Sequence, residues 1–120
     1  MSEKVKILDI PSIKIVSINQ KYILAKGSRR LILNPTFRDF KMQLCHYAER
    51  YLALAELDPW PITKVHIELK TYVDIDACIK VVLDGVCLAM ECNDRDILEL
   101  RVTKEKLKRG QPSSIRVYVE

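Results

Sequence analysis

The cleanest alternation in the chain runs through residues 64–72. Val65, Ile67 and Leu69 fall on one side, and His66, Glu68 and Lys70 on the other. A period of two marks a strand with one buried face. The alternation returns at 97–104, predicting Leu98, Leu100 and Val102 inward, and at 115–119, predicting Ile115, Val117 and Val119 inward. The basic link from Glu105 to Ser114 is expected to join these last two strands as a mobile hairpin loop. Nearer the N-terminus, Lys6 to Ile10 and Ile13 to Val16 read as short strands parted by Pro11. Lys21 to Ala25 and Arg30 to Leu33 read as a hairpin turning at Lys26-Gly27-Ser28.

Two segments carry helical spacing instead. Asn34-Pro35 is a start signal, a capping side chain followed by proline at the first helical position. Phe37, Phe40, Leu44, Tyr47, Ala48, Tyr51 and Ala55 then recur at three-and-four spacing, predicting a helix to about Leu57 that ends before Asp58-Pro59-Trp60-Pro61. Residues 77–88 are apolar except for Lys80 and Asp84 and predict a mostly buried helix, which Gly85 is expected to weaken or end early. His46 falls near the apolar edge of the first helix and His66 on the polar face of a strand, so neither is given a catalytic role. Strands, helix, strand, helix and two strands make an α+β fold, a mixed sheet with two main helices packed on it. The 120 residues fit one domain, 1–120, without repeats or a long linker.

Composition narrows the class. Hydrophobic residues make up 48% and charged residues 30%, and Gly and Pro together number eight, which excludes a disordered or collagen-like chain. No apolar run approaches the length of a membrane span, and Met1-Ser2-Glu3-Lys4 opens no apolar leader. Cys45, Cys78, Cys87 and Cys92 lack C-x-x-C spacing and have only two histidines to join them, which disfavours a finger-like zinc site. They read as reduced thiols of a cytoplasmic protein.

Charge is unevenly placed. Residues 12–42 hold seven basic groups (Lys14, Lys21, Lys26, Arg29, Arg30, Arg38, Lys41) against Asp39, a balance of +6. Residues 101–109 hold five (Arg101, Lys104, Lys106, Lys108, Arg109) against Glu105, a balance of +4. Between them, residues 73–99 hold seven acids (Asp74, Asp76, Asp84, Glu91, Asp94, Asp96, Glu99) against Lys80 and Arg95, a balance of −5. Basic flanks around an acidic centre suit a polyanion gripped by its phosphates over a metal-binding pocket. Ordinary solvated surface charge fits the same balance.

The acidic centre carries the candidate chemistry. Asp74-Ile75-Asp76 falls where a strand hands over to a helix. With Asp74 ending the strand and Asp76 capping the helix, both carboxylates converge near a helix N-terminus. Lys80 and Asp84 follow Asp76 at successive steps of four, on one helix face. Carboxylate oxygens are the hard ligands Mg²⁺ and Mn²⁺ prefer, and a lysine one turn on offers charge to a phosphate. Asp94 and Asp96 sit in a polar turn further along. The plainer account makes Asp76 a cap, Asp76–Lys80 and Lys80–Asp84 helical ion pairs, and Asp94 and Asp96 turn formers. Geometry adds a condition: a helix from Asp76 to Leu88 is about 18–20 Å long. Six extended residues return about 20 Å at most. Asp94 therefore meets Asp74 only where the helix ends near Gly85 or where a second subunit supplies it.

The run Asp74-Ile75-Asp76-Ala77-Cys78-Ile79-Lys80-Val81-Val82-Leu83-Asp84-Gly85, followed by Asn93-Asp94-Arg95-Asp96-Ile97, resembles the RusA-type Holliday-junction resolvases. Their pattern is roughly D-[LI]-D-N-x-x-K-x-x-x-D, then a D-D-x-Q-[VI]-like turn leading into a strand with a basic end. The likeness covers residues 65–119 and is weaker upstream, at Ser17-Ile18-Asn19 and Phe37-Arg38-Asp39. It implies a homodimeric, Mg²⁺-dependent endonuclease for four-way DNA junctions, with Mn²⁺ as a substitute, each subunit nicking one of two opposing strands. By position, Asp74, Asp76 and Asp94 would bind metal, Lys80 would be the essential lysine and Asp84 a supporting acid. Lys14, Lys21, Lys26, Arg29, Arg30, Arg38, Lys104, Lys106, Lys108 and Arg109 would contact DNA. The sequence departs from the pattern at Ala77, where asparagine is usual, at Val73, often basic, and at Asn93, often aspartate. Two other readings stand beside this one: a non-catalytic dimeric binder of branched DNA with a degenerate site, and a small protein-interaction module with solvated charges.

Overall fold

A computed structural model describes residues 4–15, 22–24 and 31–120. In chain order its elements are β1 (Val5–Ile10), β2 (Tyr22–Leu24), β3 (Leu31–Leu33), α1 (Pro35–Leu54), β4 (Lys64–Lys70), α2 (Ile75–Met90), a 3-10 turn at Asp94–Asp96, β5 (Glu99–Glu105) and β6 (Ser114–Val119). Four strands form one mixed sheet in the order β1-β6-β4-β5. β6 runs antiparallel to both β1 and β4, while β5 runs parallel to β4. A parallel pair needs a crossover, and α2 supplies it. β2 and β3 pair antiparallel as a separate ribbon, as the hairpin reading expects, with its turn residues Lys26-Gly27-Ser28 outside the described residues. The architecture is α+β.

The alternation of β4 decides which face of the sheet is covered. Val65, Ile67 and Leu69 are buried with Ile115, Val117 and Val119 of β6, under the two helices. His66, Glu68 and Lys70 line the opposite, polar face beside Arg116 and Tyr118. Between Lys6 and Leu8 the β1 register slips by one residue. This bulge buries both Ile7 and Leu8, which strict alternation would have split between faces.

Asn34 caps α1 as its sequence signal predicts, its Oδ1 accepting from the Thr36 N–H at 3.1 Å. The buried stripe is Phe37, Phe40, Leu44, Cys45, Ala48 and Leu52. Tyr47 (45% exposed) and Ala55 lie off it, because the helix ends at Leu54 and its stripe precesses towards Leu52.

Gly85 does not end α2. A Cβ at this position would stand 2.8 Å from the Leu44 Cβ and 3.2 Å from the Lys41 carbonyl oxygen. The glycine marks a close approach of α1 and α2, and their packing offsets its poor helix propensity. α2 runs on to Met90 and stops at Glu91, left-handed at φ 55°, with the Cys92 N–H donating back to the Cys87 carbonyl at 3.0 Å.

Three further expectations are corrected. β5 and β6 form no hairpin: β4 lies between them, and their link crosses the end of β4, anchored by buried Leu107 and a turn closed by the Gln111 N–H to the Lys108 carbonyl at 3.0 Å. Leu98 and Leu100 do not point into the core. Leu98 precedes β5 and is 82% exposed, and Leu100 is 42% exposed because β5 is an edge strand that the helices do not reach across. Residues 13–15 form no strand, although the Ile13 N–H donates to the Ser113 carbonyl at 2.9 Å; Val16 lies outside the described residues. Among the described residues no helix is long and apolar enough to cross a membrane.

Candidate active site

α2 carries most of the candidate residues, so its setting fixes theirs. β4 ends at Lys70, and Thr71 to Val73 lead into the helix. The Thr71 hydroxyl shapes this link by accepting from the Val73 N–H at 3.0 Å. Asp74 occupies the N-cap position and Asp76 the first turn, so the cap falls two residues before the Asp76 that the sequence assigned to it. The Asp74 side chain makes no capping hydrogen bond. Both carboxylates are exposed, and neither has an ion-pair partner among the described residues. Two acids beside the positive end of a helix dipole are electrostatically reasonable without any side-chain partner.

One turn on, the picture changes. Lys80 Nζ donates to Asp94 at 2.7 Å and stands 3.1 Å from Asp84. The second contact is the helical pair the spacing predicts. The first closes a separation of fourteen residues. It forms because the chain doubles back at Glu91 and enters the 3-10 turn, where the Asn93 Oδ1 accepts from the Arg95 N–H at 3.4 Å. The Asp94 hydrogen bond, then that from Asp84, raises the Lys80 pKa above its ordinary value. Reciprocally, Lys80 lowers that of Asp94. Both shifts favour the charged forms of Lys80 and Asp94.

An open cleft of about 350 Å³ borders this trio, and Lys41 of α1 lines it with Lys80, Asp84 and Asp94. Sequence reasoning counted Lys41 in the basic segment but gave it no place at the site. Only the close α1–α2 crossing at Gly85 brings it there.

The structure therefore divides the five predicted residues. Lys80, Asp84 and Asp94 meet; Asp74 and Asp76 sit at the helix start and form no ion pair with Lys80. Among the described residues, no three His, Cys, Asp or Glu side chains are grouped closely enough to hold a metal. α2 passes through Gly85, so the early helix end that would carry Asp94 to Asp74 does not occur.

The predicted DNA contacts are placed as follows. Lys14, Arg38, Lys106, Lys108 and Arg109 are exposed, and Lys104 is half-buried. Lys21, Lys26, Arg29, Arg30 and Ser17-Ile18-Asn19 lie outside the described residues. β5 ends beside β4, with the Thr71 N–H donating to the Glu105 carbonyl at 3.3 Å. The basic run Lys104 to Arg109 thus begins at the same end of the sheet as the first turn of α2. Lys104 is felt there: burial pushes the Cys78 thiol up, and the Lys104 charge opposes it. No family model matches the chain, and a search of curated proteins finds none that matches it.

Proposed function

We propose that this chain is a Mg²⁺-dependent, structure-specific endodeoxyribonuclease of RusA type, acting as a homodimer that resolves four-way DNA junctions by paired nicks. The observation that carries the reading is the 2.7 Å contact between Lys80 and Asp94. It supports the reading because two motif halves far apart in sequence share one cleft, one turn from Asp74 and Asp76.

The donor set fits the metal. Asp74 and Asp76 offer exposed, hard carboxylate oxygens that no cap or ion pair among the described residues engages. These two residues would hold Mg²⁺, and Asp94 would join them on leaving Lys80, in its own subunit or across the dimer. A bound Mg²⁺ would supply positive charge to the phosphate and acidify a water molecule. Lys80 stays protonated under its two acids, so its Nζ can transfer from Asp94 to a phosphoryl oxygen. Asp84, 3.1 Å away, keeps that side chain on the cleft face during the exchange. The N-terminus of α2 adds a favourable potential for the phosphate. Lys14, Arg38, Lys104, Lys106, Lys108 and Arg109 grip the backbone, so affinity should fall steeply with salt.

One observation favours a second reading, a non-catalytic binder of branched DNA: the same Lys80–Asp94 pair ties up two of the groups that cleavage needs. A synthetic four-way junction incubated with and without Mg²⁺, with incisions mapped, separates the two. Paired nicks at opposing strands, lost in Asp76→Asn with junction binding retained, support the nuclease. Binding without incision supports the alternative, and no binding at low salt removes both.

A further inference from the structure

The outer edge of β5 is a second feature that asks for a partner. β5 ends the sheet, and among the described residues no strand pairs with its free side. Its backbone shows which groups are unsatisfied there. The Glu99 N–H donates to the Thr63 carbonyl at 3.1 Å and the Glu105 carbonyl accepts from Thr71 at 3.3 Å, so odd-numbered residues face β4. By alternation, Leu100, Val102 and Lys104 turn their N–H and C=O groups to the open edge. The segment has no proline or glycine and presents exposed Leu98 and Leu100; its guards are the charges of Glu99, Arg101, Lys104 and Glu105, which a partner of complementary charge can engage.

We propose that a second copy of this chain adds its own β5 to this edge, antiparallel, with Leu100 on the two-fold axis. Charge and apolar cover together select that register, since an axis on Thr103 would also oppose Arg101 to Glu105 of the partner subunit but would set exposed Leu100 against Lys106 of the partner subunit. A two-fold axis perpendicular to the sheet keeps the helix-covered faces on one side, so only even shifts are allowed. With Leu100 on the axis, Leu100 meets its own copy, and Leu98 lies opposite Val102 of the partner subunit by side chain only, because the Leu98 N–H already donates to the Thr63 carbonyl at 2.7 Å. Glu99 faces Arg101 of the partner subunit twice by symmetry, in the non-hydrogen-bonded positions where side chains come closest. Centring the axis on Arg101 would oppose two guanidinium groups, and centring it on Val102 would oppose Glu99 with Glu105 of the partner subunit. Arg101 has no ion-pair partner among the described residues, and this register supplies one. The pairing also covers the exposed apolar side chains and yields one continuous eight-stranded sheet, twice the four strands of one chain.

The proposal assigns an interface to the homodimer of the reading above: a dimer that ignores the variants sinks the interface alone, an intact dimer without cleavage sinks the nuclease alone, and a monomeric wild type removes both. Sedimentation velocity on the full chain at about 1–100 μM should show a dimer. Glu99→Arg and Arg101→Glu should each weaken it by about tenfold or more, since each replaces two attractions by two repulsions. The double variant Glu99→Arg/Arg101→Glu should recover the dimer. Circular dichroism confirms that each variant is folded, and Leu100→Pro gives a second probe: it removes an N–H that β4 does not use and blocks the edge. A monomeric wild type, single reversals that leave the dimer intact, a double variant that stays monomeric, or a folded Leu100→Pro that still dimerises would overturn it.

Discussion

The first turn of α2 and its middle carry similar residues in opposite electrostatic states. Asp74 and Asp76 stand exposed without an ion pair among the described residues, whereas Lys80 lies between Asp84 and Asp94. The difference follows from what each position can reach. The Lys104 to Arg109 link begins at the same end of the sheet as the helix start and contributes no ion pair to either acid. In the middle, the doubling-back at Glu91 delivers an acid to the lysine. On the proposed reading, the uncommitted acids at the helix start take an external cation, while the internally paired trio, two acids around one lysine, exchanges partners.

The strongest test of that contrast removes one acid from each region. Asp74→Asn and Asp76→Asn are each expected to lower junction cleavage by about 100-fold or more, the scale of losing a group that holds or stabilises charge at the reacting centre. Asp84→Asn, which alters only the orientation of Lys80, should cost about tenfold. Melting temperatures should move little for any of the three, because Asp74 and Asp76 are exposed and the half-buried Asp84 loses one helical ion pair worth about 0.3–0.5 kcal/mol. Equal losses at Asp76 and Asp84 in mapped-incision assays would erase the distinction between the two regions.

Next in size is the scaffold beneath the trio. Gly85→Ala gains about 1 kcal/mol of helix propensity. It also drives a methyl group against Leu44 and the Lys41 carbonyl at 2.8 and 3.2 Å. Overpacking a helix crossing costs about 1–3 kcal/mol, so net destabilisation is expected in a urea titration. A stabilised variant would mean the α1–α2 crossing is looser than the structure gives, and with it the placement of Lys41.

These positions also show what could be read from the chain. Local chemistry was legible: the Asn34 cap, the inward set of β4 and β6, and the Lys80–Asp84 spacing each depend on neighbours a few residues away. What failed depends on residues distant in sequence. Two alternating strands joined by eight residues suggest a hairpin, yet β4 had already taken the place between them. Leu98 and Leu100 obey the inward pattern, but the pattern cannot tell a central strand from an edge. Gly85 looked like a helix breaker because the partner that demands it, Leu44, sits on the other helix. The Asp74-x-Asp76 and Asp94 segments were recognisable by resemblance, but which of them meet Lys80 was settled by the turn at Glu91.

The smallest effect bears on the trio itself. Lys80 holds the Asp94 carboxyl below its ordinary range, chiefly through the direct hydrogen bond. A depressed folded-state value means the pair contributes stability above the unfolded carboxylate value of about 4. That contribution is lost as pH falls through the lower folded value. Lys80, raised by Asp94 and then Asp84, behaves conversely: its share is complete below the ordinary lysine value and is lost as pH rises through the raised one. Carboxyl-detected NMR titration should find Asp94 titrating at lower pH than an isolated aspartate, and Lys80→Met should return it to the ordinary range. Both groups are exposed, so the change in unfolding stability should be slight even where the titration shift is clear. An Asp94 that already titrates normally in the wild-type chain would mean the pair opens freely in solution, leaving the middle of α2 as available to a cation as its first turn.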